Sequence, residues 1–155
     1  MINDIDKEIL KILQEDARTP NAEIARRLGM APSAIFERIK KLEKLKIIQG
    51  YQATLDADAL GFGLLAFIFI HTREPIGSSE IGQKLIKFPE VQEVHHITGE
   101  DCYLVRVRAA NADHLWQFLK EKVGSLGPVN TRTTIVLETL KDTSHLPFEK
   151  KAKKR

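Results

Sequence analysis

Segment 23–44 reads EIARRLGMAPSAIFERIKKLEK, and its spacing decides the fold of the N-terminal part of the chain. Ala25 is small enough for two helices to cross closely, and Gly29, four residues later, permits a left-handed turn between them. Ile35, six residues further on, is spaced to be the buried anchor of the next helix. These three positions in register predict a helix-turn-helix in which a recognition helix runs from Pro32 to about residue 46.

The recognition helix is predicted to have an apolar side and a polar side. At the helical period Ile35, Ile39 and Leu42 share the apolar side. The opposite side and its flanks carry the residues that we predict to face DNA: Ser33, Phe36, Glu37, Lys40, Lys41 and Lys44. The first four are predicted to contact base edges and the last two to contact phosphates. The alternative is a solvated face with a Glu37–Lys41 pair worth about 0.3 kcal/mol.

Two further helices and a wing are predicted around this helix. Asn3 can cap a first helix, in which Asp6 lies favourably near the positive end. Asn21 is predicted to cap the second helix. Arg38 points toward the buried side of the third helix, so we predict that it makes a structural ion pair. Residues 47–53 follow as a strand–turn segment in the position of a wing.

The rest of the chain alternates between strand-like and helix-like patterns. The order is β-α-β-β-α-β, that of a ferredoxin-like domain. Strands are predicted at 64–72, 91–98, 102–108 and 129–140, and helices at 78–87 and after an N-cap at Asn111.

The expected fold class is α+β, with an N-terminal winged helix-turn-helix followed by a ferredoxin-like βαββαβ domain. The expected boundaries are 1–52 for the winged helix-turn-helix, 53–63 for a linker, 64–142 for the βαββαβ domain and 143–155 for a basic, disordered tail.

The first predicted strand is apolar on both faces. Leu64, Ala66, Ile68 and Ile70 alternate with Leu65, Phe67 and Phe69. Two helices cover only one face of a sheet, and no other segment remains to cover the second face. The pattern therefore predicts a homodimer in which a second chain covers that face. A dimer also suits a helix-turn-helix, because it reads two half-sites on double-stranded DNA.

Composition restricts the class of protein. The net charge of +3 is unevenly distributed, because residues 21–50 hold seven Lys and Arg against three Asp and Glu, whereas residues 51–147 hold nine against twelve. This asymmetry suits a DNA-binding head. A single cysteine, Cys102, excludes an internal disulfide and a multi-thiolate zinc site. No stretch reads as a signal peptide or a membrane span, so no membrane partner is predicted and the cytoplasm is the expected compartment.

No constellation of catalytic residues stands out, and no cofactor or metal is predicted. His95 and His96 are adjacent on a strand and point to opposite faces, so they cannot chelate one ion. The predicted hairpin Thr98–Asp101 places two carboxylates and free backbone N–H groups beside Gly99. Such a turn can hold the ammonium and carboxylate groups of an amino acid. A polar surface hairpin is the alternative.

The combined pattern resembles the Lrp/AsnC family of feast/famine transcriptional regulators over residues 2–142. Two domains that match in the right order are more specific than either motif alone. The matching stretches are Asn3–Leu10, Glu23–Ala25 with Gly29, Arg38–Glu43, Ile47–Tyr51, Thr98–Glu100 with Tyr103–Val105, and Thr131–Leu137.

The resemblance implies a DNA-binding head joined to a ligand-sensing (RAM-type) domain. Family members pair sheet to sheet into dimers, which often assemble into octamers. Amino acids or related metabolites bind between dimers and change assembly or DNA affinity. Carried over by position, the effector contacts are Thr98, Gly99, Glu100, Asp101 and Tyr103, with Thr133 or Thr134 from the last strand.

The chain departs from the family pattern at three places. Asn3 caps the first helix where the family more commonly has Asp, a change of little consequence. Ala31 stands where the family has Ser or Thr capping the recognition helix, which costs about 1 kcal/mol. The family hairpin often reads Gly-acid-aromatic-Asp-Tyr, whereas this hairpin reads Gly-Glu-Asp-Cys-Tyr from Gly99, so an acidic residue and the aromatic residue are not at the family positions.

Two other functions remain as alternatives. One is a siroheme-decarboxylase-type enzyme, for which His95, His96 and Arg106 would line a pocket; the other is a sensing protein that co-assembles with a paralogue.

Overall fold

The computed structural model describes residues 2–75 and 77–148. The chain divides into two compact units, one formed by Met1–Thr54 with Asp142–Arg155 and the other by Leu55–Lys141. The predicted α+β class is confirmed: a helix-turn-helix region is followed by a four-stranded antiparallel sheet with helices.

The first unit is built on three helices. They are α1 (Asp4–Glu15), α2 (Asn21–Leu28) and α3 (Pro32–Lys44). Gly29 ends α2 in the left-handed conformation at φ 64°, as the sequence predicted. The core of this unit consists of Ile9, Leu10, Ile24, Ala25, Ile35 and Leu42.

Of the three predictions for the helix starts in this unit, two are confirmed and one is wrong. Asn3 and Asp6 form a reciprocal capping box at the start of α1, which confirms the predicted cap. Ala31 precedes α3 without a side-chain cap, also as predicted. The predicted cap at Asn21 is wrong, because Pro20 occupies the N-cap position and Asn21 is already helical. The φ that proline fixes starts this helix one residue earlier.

The segment after α3 contains no strand between residues 45 and 63, so the wing is not present as a β-structure. A strand needs a hydrogen-bonding partner, and this segment instead turns back on the helix end. The backbone N–H groups of Ile47 and Ile48 both donate to the carbonyl of Leu42. Lys46 makes this possible by adopting a positive φ of 57°.

The C-terminal segment 143–148, which the sequence assigned to a disordered tail, packs on the first unit. The side chain of Gln14 makes two hydrogen bonds to the backbone of Leu146, accepting at 2.7 Å and donating at 3.2 Å. Phe148 packs against the helical core. The remaining tail, 149–155, lies outside the described residues.

The second unit has the predicted βαββαβ order. The elements are β1 (Leu64–His71), α4 (Glu80–Leu85), β2 (Val91–His96), β3 (Tyr103–Ala109), α5 (Ala112–Gln117) and β4 (Asn130–Ile135). The four strands form a sheet in the spatial order β2-β3-β1-β4, which is antiparallel throughout. After α5 the backbone continues through a π-helical segment, Phe118–Val123, and a 3₁₀ turn, Gly124–Leu126. The predicted N-cap Asn111 is confirmed, because its side chain accepts from the N–H of His114 at 2.9 Å.

The two faces of this sheet differ in burial. Ala66, Ile68 and Ile70 are fully buried in the core of the unit. Phe67 and Phe69, which alternate with them, are only half-buried in the single chain. We call the face that carries Phe67 and Phe69 the open face.

Within the described residues, no helix is long and apolar enough to cross a membrane.

Candidate DNA-reading surface and effector loop

Helix α3 brings the six predicted DNA-facing residues onto one exposed surface. Ser33 and Phe36 lie in its first turns, and the four others follow on the same side. A concavity of this surface is lined by Glu37, Lys40, Lys41 and Lys44. We call these four residues and Ser33 and Phe36 the α3 surface. The ammonium groups of Lys40, Lys41 and Lys44 create a positive potential that attracts a phosphate backbone.

Contacts within the α3 surface leave most of its polar groups available. The Nζ atom of Lys40 lies 4.9 Å from the centre of the Phe36 ring, which is 45% exposed. Within residues 2–75 and 77–148, Glu37 makes no ion pair or hydrogen bond with another side chain. The alternative of a Glu37–Lys41 pair is therefore not formed.

The orientation of α3 is fixed by an ion pair on its other side. Nη1 of Arg38 donates to Oδ1 of Asp6 across 2.8 Å, which confirms the predicted structural pairing. Asp6 is only 4% exposed. Burial alone would raise the pKa of Asp6, but the N–H of Asn3 and the guanidinium of Arg38 outweigh it and lower that pKa. The carboxylate therefore stays charged and joins α1 to α3.

Helix α2 presents its arginines differently. Glu23 accepts three hydrogen bonds of 2.8 Å, two from Arg26 and one from Arg27, and they lower its pKa to about 2. The positive charge of α2 is thus partly neutralised within the helix. The lysines of α3 have no such carboxylate partner among the described residues.

The predicted effector loop, Thr98–Asp101, connects β2 to β3 and is held at two points. Nδ1 of His71, at the end of β1, donates to the carbonyl of Glu100. The carboxylate of Asp101 accepts from Arg132 of β4 at 2.9 Å. Gly99 adopts φ 118°, a conformation that L side chains rarely adopt. Thr98, Gly99 and Glu100 are exposed.

Arg132 is a residue of this region that the sequence reasoning missed. Its guanidinium carbon lies 4.0 Å from the ring centre of Phe69, and its side chain is 63% exposed. The pairing of Phe69 with Arg132 across β1 and β4 sets its position. Asp101 is therefore not a bare carboxylate but half of an accessible ion pair.

The other predicted effector residues lie apart from the loop. Tyr103 is 2% exposed and faces the helices, where its ring stacks on His96. Thr133 and Thr134 pair with Ile68 and Phe67, further along β1 than the end that adjoins the loop. Thr133 is half-buried and Thr134 is exposed.

Tyr103 belongs instead to a polar network around Glu74, which the sequence did not indicate. The Glu74 carboxylate accepts from the hydroxyl of Tyr103 at 2.9 Å, the hydroxyl of Ser78 at 3.0 Å and the N–H of Ile81 at 3.0 Å. Burial alone would raise the pKa of Glu74, but these hydrogen bonds outweigh it and lower that pKa. For Tyr103, burial and the carboxylate both raise the pKa. The network holds the segment before α4 against the sheet.

The two adjacent histidines of β2 have different partners. His95 pairs with Glu93 at 3.0 Å, whereas His96 stacks on Tyr103 on the opposite face of β2. No group of three or more potential metal ligands occurs in the described part of the chain. Cys102 exchanges hydrogen bonds with the backbone of Thr72.

Two family models match the sequence in the order of the two units. The AsnC-type helix-turn-helix domain matches residues 2–43, and the Lrp/AsnC ligand binding domain matches residues 65–146. The chain belongs to the Lrp/AsnC family. This Lrp/AsnC protein is 41% identical to the HTH-type transcriptional regulator FL11 of Pyrococcus furiosus, over 96% of the chain and 98% of the relative.

Solved structures share the whole fold. A transcriptional regulator of Neisseria meningitidis in complex with L-methionine has a TM-score of 0.88 at 29% identity, covering 95% of this chain and 97% of that one. The feast or famine regulatory protein of Mycobacterium tuberculosis, complexed with L-methionine, has a TM-score of 0.87 at 32% identity, covering 95% and 100%.

These likenesses decide between a transcriptional regulator and an enzyme. The relatives are named transcriptional regulators, and the helix-turn-helix is a DNA-binding domain. The Lrp/AsnC protein is therefore a DNA-binding transcriptional regulator and not an enzyme of the siroheme-decarboxylase type.

Proposed function

We propose that this Lrp/AsnC protein recognises a specific operator through the α3 surface and that an amino acid changes its assembly or its DNA affinity. The observation that carries the first part is the concavity on α3 that is lined by Glu37, Lys40, Lys41 and Lys44. Basic groups there meet phosphates, while the side chains in the N-terminal half reach base edges. Ser33, Phe36, Glu37 and Lys40 are assigned to bases, and Lys41 and Lys44 to phosphates.

The proposed operator contact is tested by titrating DNA fragments from upstream of the gene with the wild-type protein and with Lys40→Ala. The control is Lys84→Ala, which removes the same charge from an exposed position on α4. We expect Lys40→Ala to weaken specific binding by about tenfold or more, because a good base contact contributes about 1–3 kcal/mol. The control should bind like the wild type. Equal affinities for all three proteins would contradict the assignment of α3.

The effector part of the proposal rests on the Asp101–Arg132 pair beside the exposed loop. An α-amino acid carries an ammonium that suits Asp101 and a carboxylate that suits Arg132, so a zwitterion can be inserted between them. Two related regulators have been solved with L-methionine, which supports an amino acid as the class of ligand. Thr98, Gly99 and Glu100 are proposed to complete the contacts, with Thr133 or Thr134 as outer members. Tyr103 is proposed to act only from beneath the loop.

The effector assignment is tested by thermal unfolding with each of the common amino acids. A ligand at a hundred times its Kd stabilises the folded state by about 2.7 kcal/mol, so binding raises the melting temperature measurably. We expect Arg132→Ala to abolish that rise and Lys120→Ala, an exposed position on the same unit, to preserve it. A rise that persists in Arg132→Ala would place the ligand elsewhere.

We further propose that the protein is a homodimer through its open face and that dimers assemble into a larger particle such as an octamer. The half-buried Phe67 and Phe69 support this, since a second sheet would remove both rings from water. Light scattering on Phe67→Glu should give a smaller particle than the wild type, and an unchanged mass would contradict this interface.

The domain boundaries at 1–52, 53–63 and 64–142 are kept as part of the proposal.

A further inference from the structure

The α3 surface carries one acidic side chain beside its three lysines. Glu37 lines the concavity of α3 with Lys40, Lys41 and Lys44, and all four residues are exposed. A carboxylate near DNA phosphates is repelled by them, so its presence lowers affinity for DNA in general. A residue with that cost in a binding surface calls for a compensating contact.

Among residues 2–75 and 77–148, no side chain forms an ion pair with Glu37. Lys40, one turn away, places its ammonium over the ring of Phe36. Among the described residues Glu37 has no ion pair, although glutamates elsewhere in this unit do: Glu8 pairs with Lys11, and Glu23 with two arginines. The carboxylate of Glu37 is therefore left as an unengaged hydrogen-bond acceptor at the point where the helix would meet the groove.

The chemistry of base edges restricts what such an acceptor can contact. An ionised carboxylate accepts only, and in the major groove the only base donors are N4 of cytosine and N6 of adenine. Adenine presents its N7 acceptor next to N6, which repels the second carboxylate oxygen. Cytosine presents N4 without an acceptor of its own beside it. The carboxylate therefore favours cytosine.

We infer that Glu37 is a specificity-determining residue that reads a cytosine in each half-site and penalises DNA that lacks one there. This inference rests on the proposed function, because it requires α3 to lie in the major groove. It adds which base is read and assigns Glu37 a second effect, the weakening of unspecific binding. The lysines bind the phosphates of any duplex, and Glu37 makes the affinity depend on whether a cytosine is present at one position.

The test is a selection of binding sequences from a randomised duplex pool with the wild type, Glu37→Gln and Glu43→Gln. Glutamine pairs with N6 and N7 of adenine, so Glu37→Gln should replace the selected cytosine by adenine at one position of each half-site. Glu43 lies on the same helix and bonds Tyr51 at 2.9 Å, so Glu43→Gln makes the same change of charge away from the concavity. It should select the wild-type sequence.

A second readout measures unspecific binding. Affinity for a duplex without the selected sequence should rise several-fold in Glu37→Gln and less in Glu43→Gln, because only Glu37 lies among the lysines of the concavity. Identical selected sequences for the wild type and Glu37→Gln would overturn the inference while leaving the DNA-binding proposal intact. No binding of the wild type to any duplex at low salt would overturn both.

Discussion

Arg38 of α3 donates to the carboxylate of Asp6 in α1 across 2.8 Å, on the side of α3 away from Lys40. Asp6 also accepts from the backbone N–H of Asn3 at 3.1 Å, so one buried carboxylate both caps α1 and orients α3. The orientation of the α3 surface therefore depends on an ion pair that lies on the other side of the helix.

Replacing Asp6 by Ala should destabilise the first unit by about 2 kcal/mol, since a hydrogen bond to a charged group and part of a capping box are removed together. The control is Glu8→Ala, whose pair with Lys11 is exposed and should change stability by less than about 0.5 kcal/mol. Denaturant unfolding followed by circular dichroism of the helices measures both. Equal effects of the two substitutions would argue against a special role for Asp6.

Replacing Ala31 by Ser should stabilise α3. Ala31 is the N-cap residue, with extended backbone and no side-chain hydrogen bond to the helix. A serine there can accept from a free N–H of the first turn, which contributes about 1 kcal/mol. Ala34→Ser, inside the same helix, adds the same hydroxyl without a cap and should be neutral or slightly destabilising. A higher melting temperature for Ala34→Ser than for Ala31→Ser would contradict the capping argument.

The helix-turn-helix was predictable from the sequence because its signals are local. Gly29 has to take a positive φ, and Asn3 caps α1 wherever that helix packs. The cap of α5 by Asn111, in the second unit, was predictable for the same reason. The strand predicted for the wing at 47–53 did not form, because a strand exists only with a hydrogen-bonding partner that local sequence does not reveal. The cap at Asn21 failed since the fixed φ of Pro20 competes for the same position.

Replacing Gly82 by Ala should disturb the contact between α4 and the sheet. A Cβ at Gly82 would lie 2.9 Å from Cε1 of Tyr103, closer than van der Waals contact. Because Tyr103 is fully enclosed and held by Glu74, the expected destabilisation is about 1–3 kcal/mol. Gly124→Ala, which meets only the Leu119 carbonyl at 3.5 Å, should be neutral or stabilising. Thermal unfolding of the two variants distinguishes them, and similar melting temperatures would show that Tyr103 can move.

Stability should depend on pH through Glu74. Its pKa in the folded state lies below the ordinary 4.5, so its stabilising contribution is complete well above pH 4.5 and disappears as the pH falls through the lower, folded value. Glu74→Gln cannot ionise and should lack this part of the acid destabilisation. Comparing melting temperatures from neutral pH to about pH 3 isolates the effect, because the other carboxyl groups are common to both proteins. Parallel curves would exclude Glu74 as a contributor.

The candidate effector region shows what strand alternation can and cannot predict. Tyr103 alternates with Val105 and Val107 in the same inward direction, and the period of two could have placed it in the core. The residues that hold the loop could not be predicted from this alternation. His71 and Arg132 reach it only because β1 pairs with both β3 and β4, a register that depends on the whole sheet.

The most direct test of the proposed DNA-binding surface is the salt dependence of DNA binding. The logarithm of the affinity for a selected duplex should be measured against the logarithm of the salt concentration. The proteins are the wild type, Lys41→Ala with Lys44→Ala, and the charge-matched control Lys84→Ala with Lys87→Ala. The slope of the first double variant should become shallower by about 0.9 for every phosphate that it no longer neutralises, whereas the control keeps the wild-type slope. Equal slopes and affinities for all three folded proteins would contradict the claim that α3 is the DNA-binding surface.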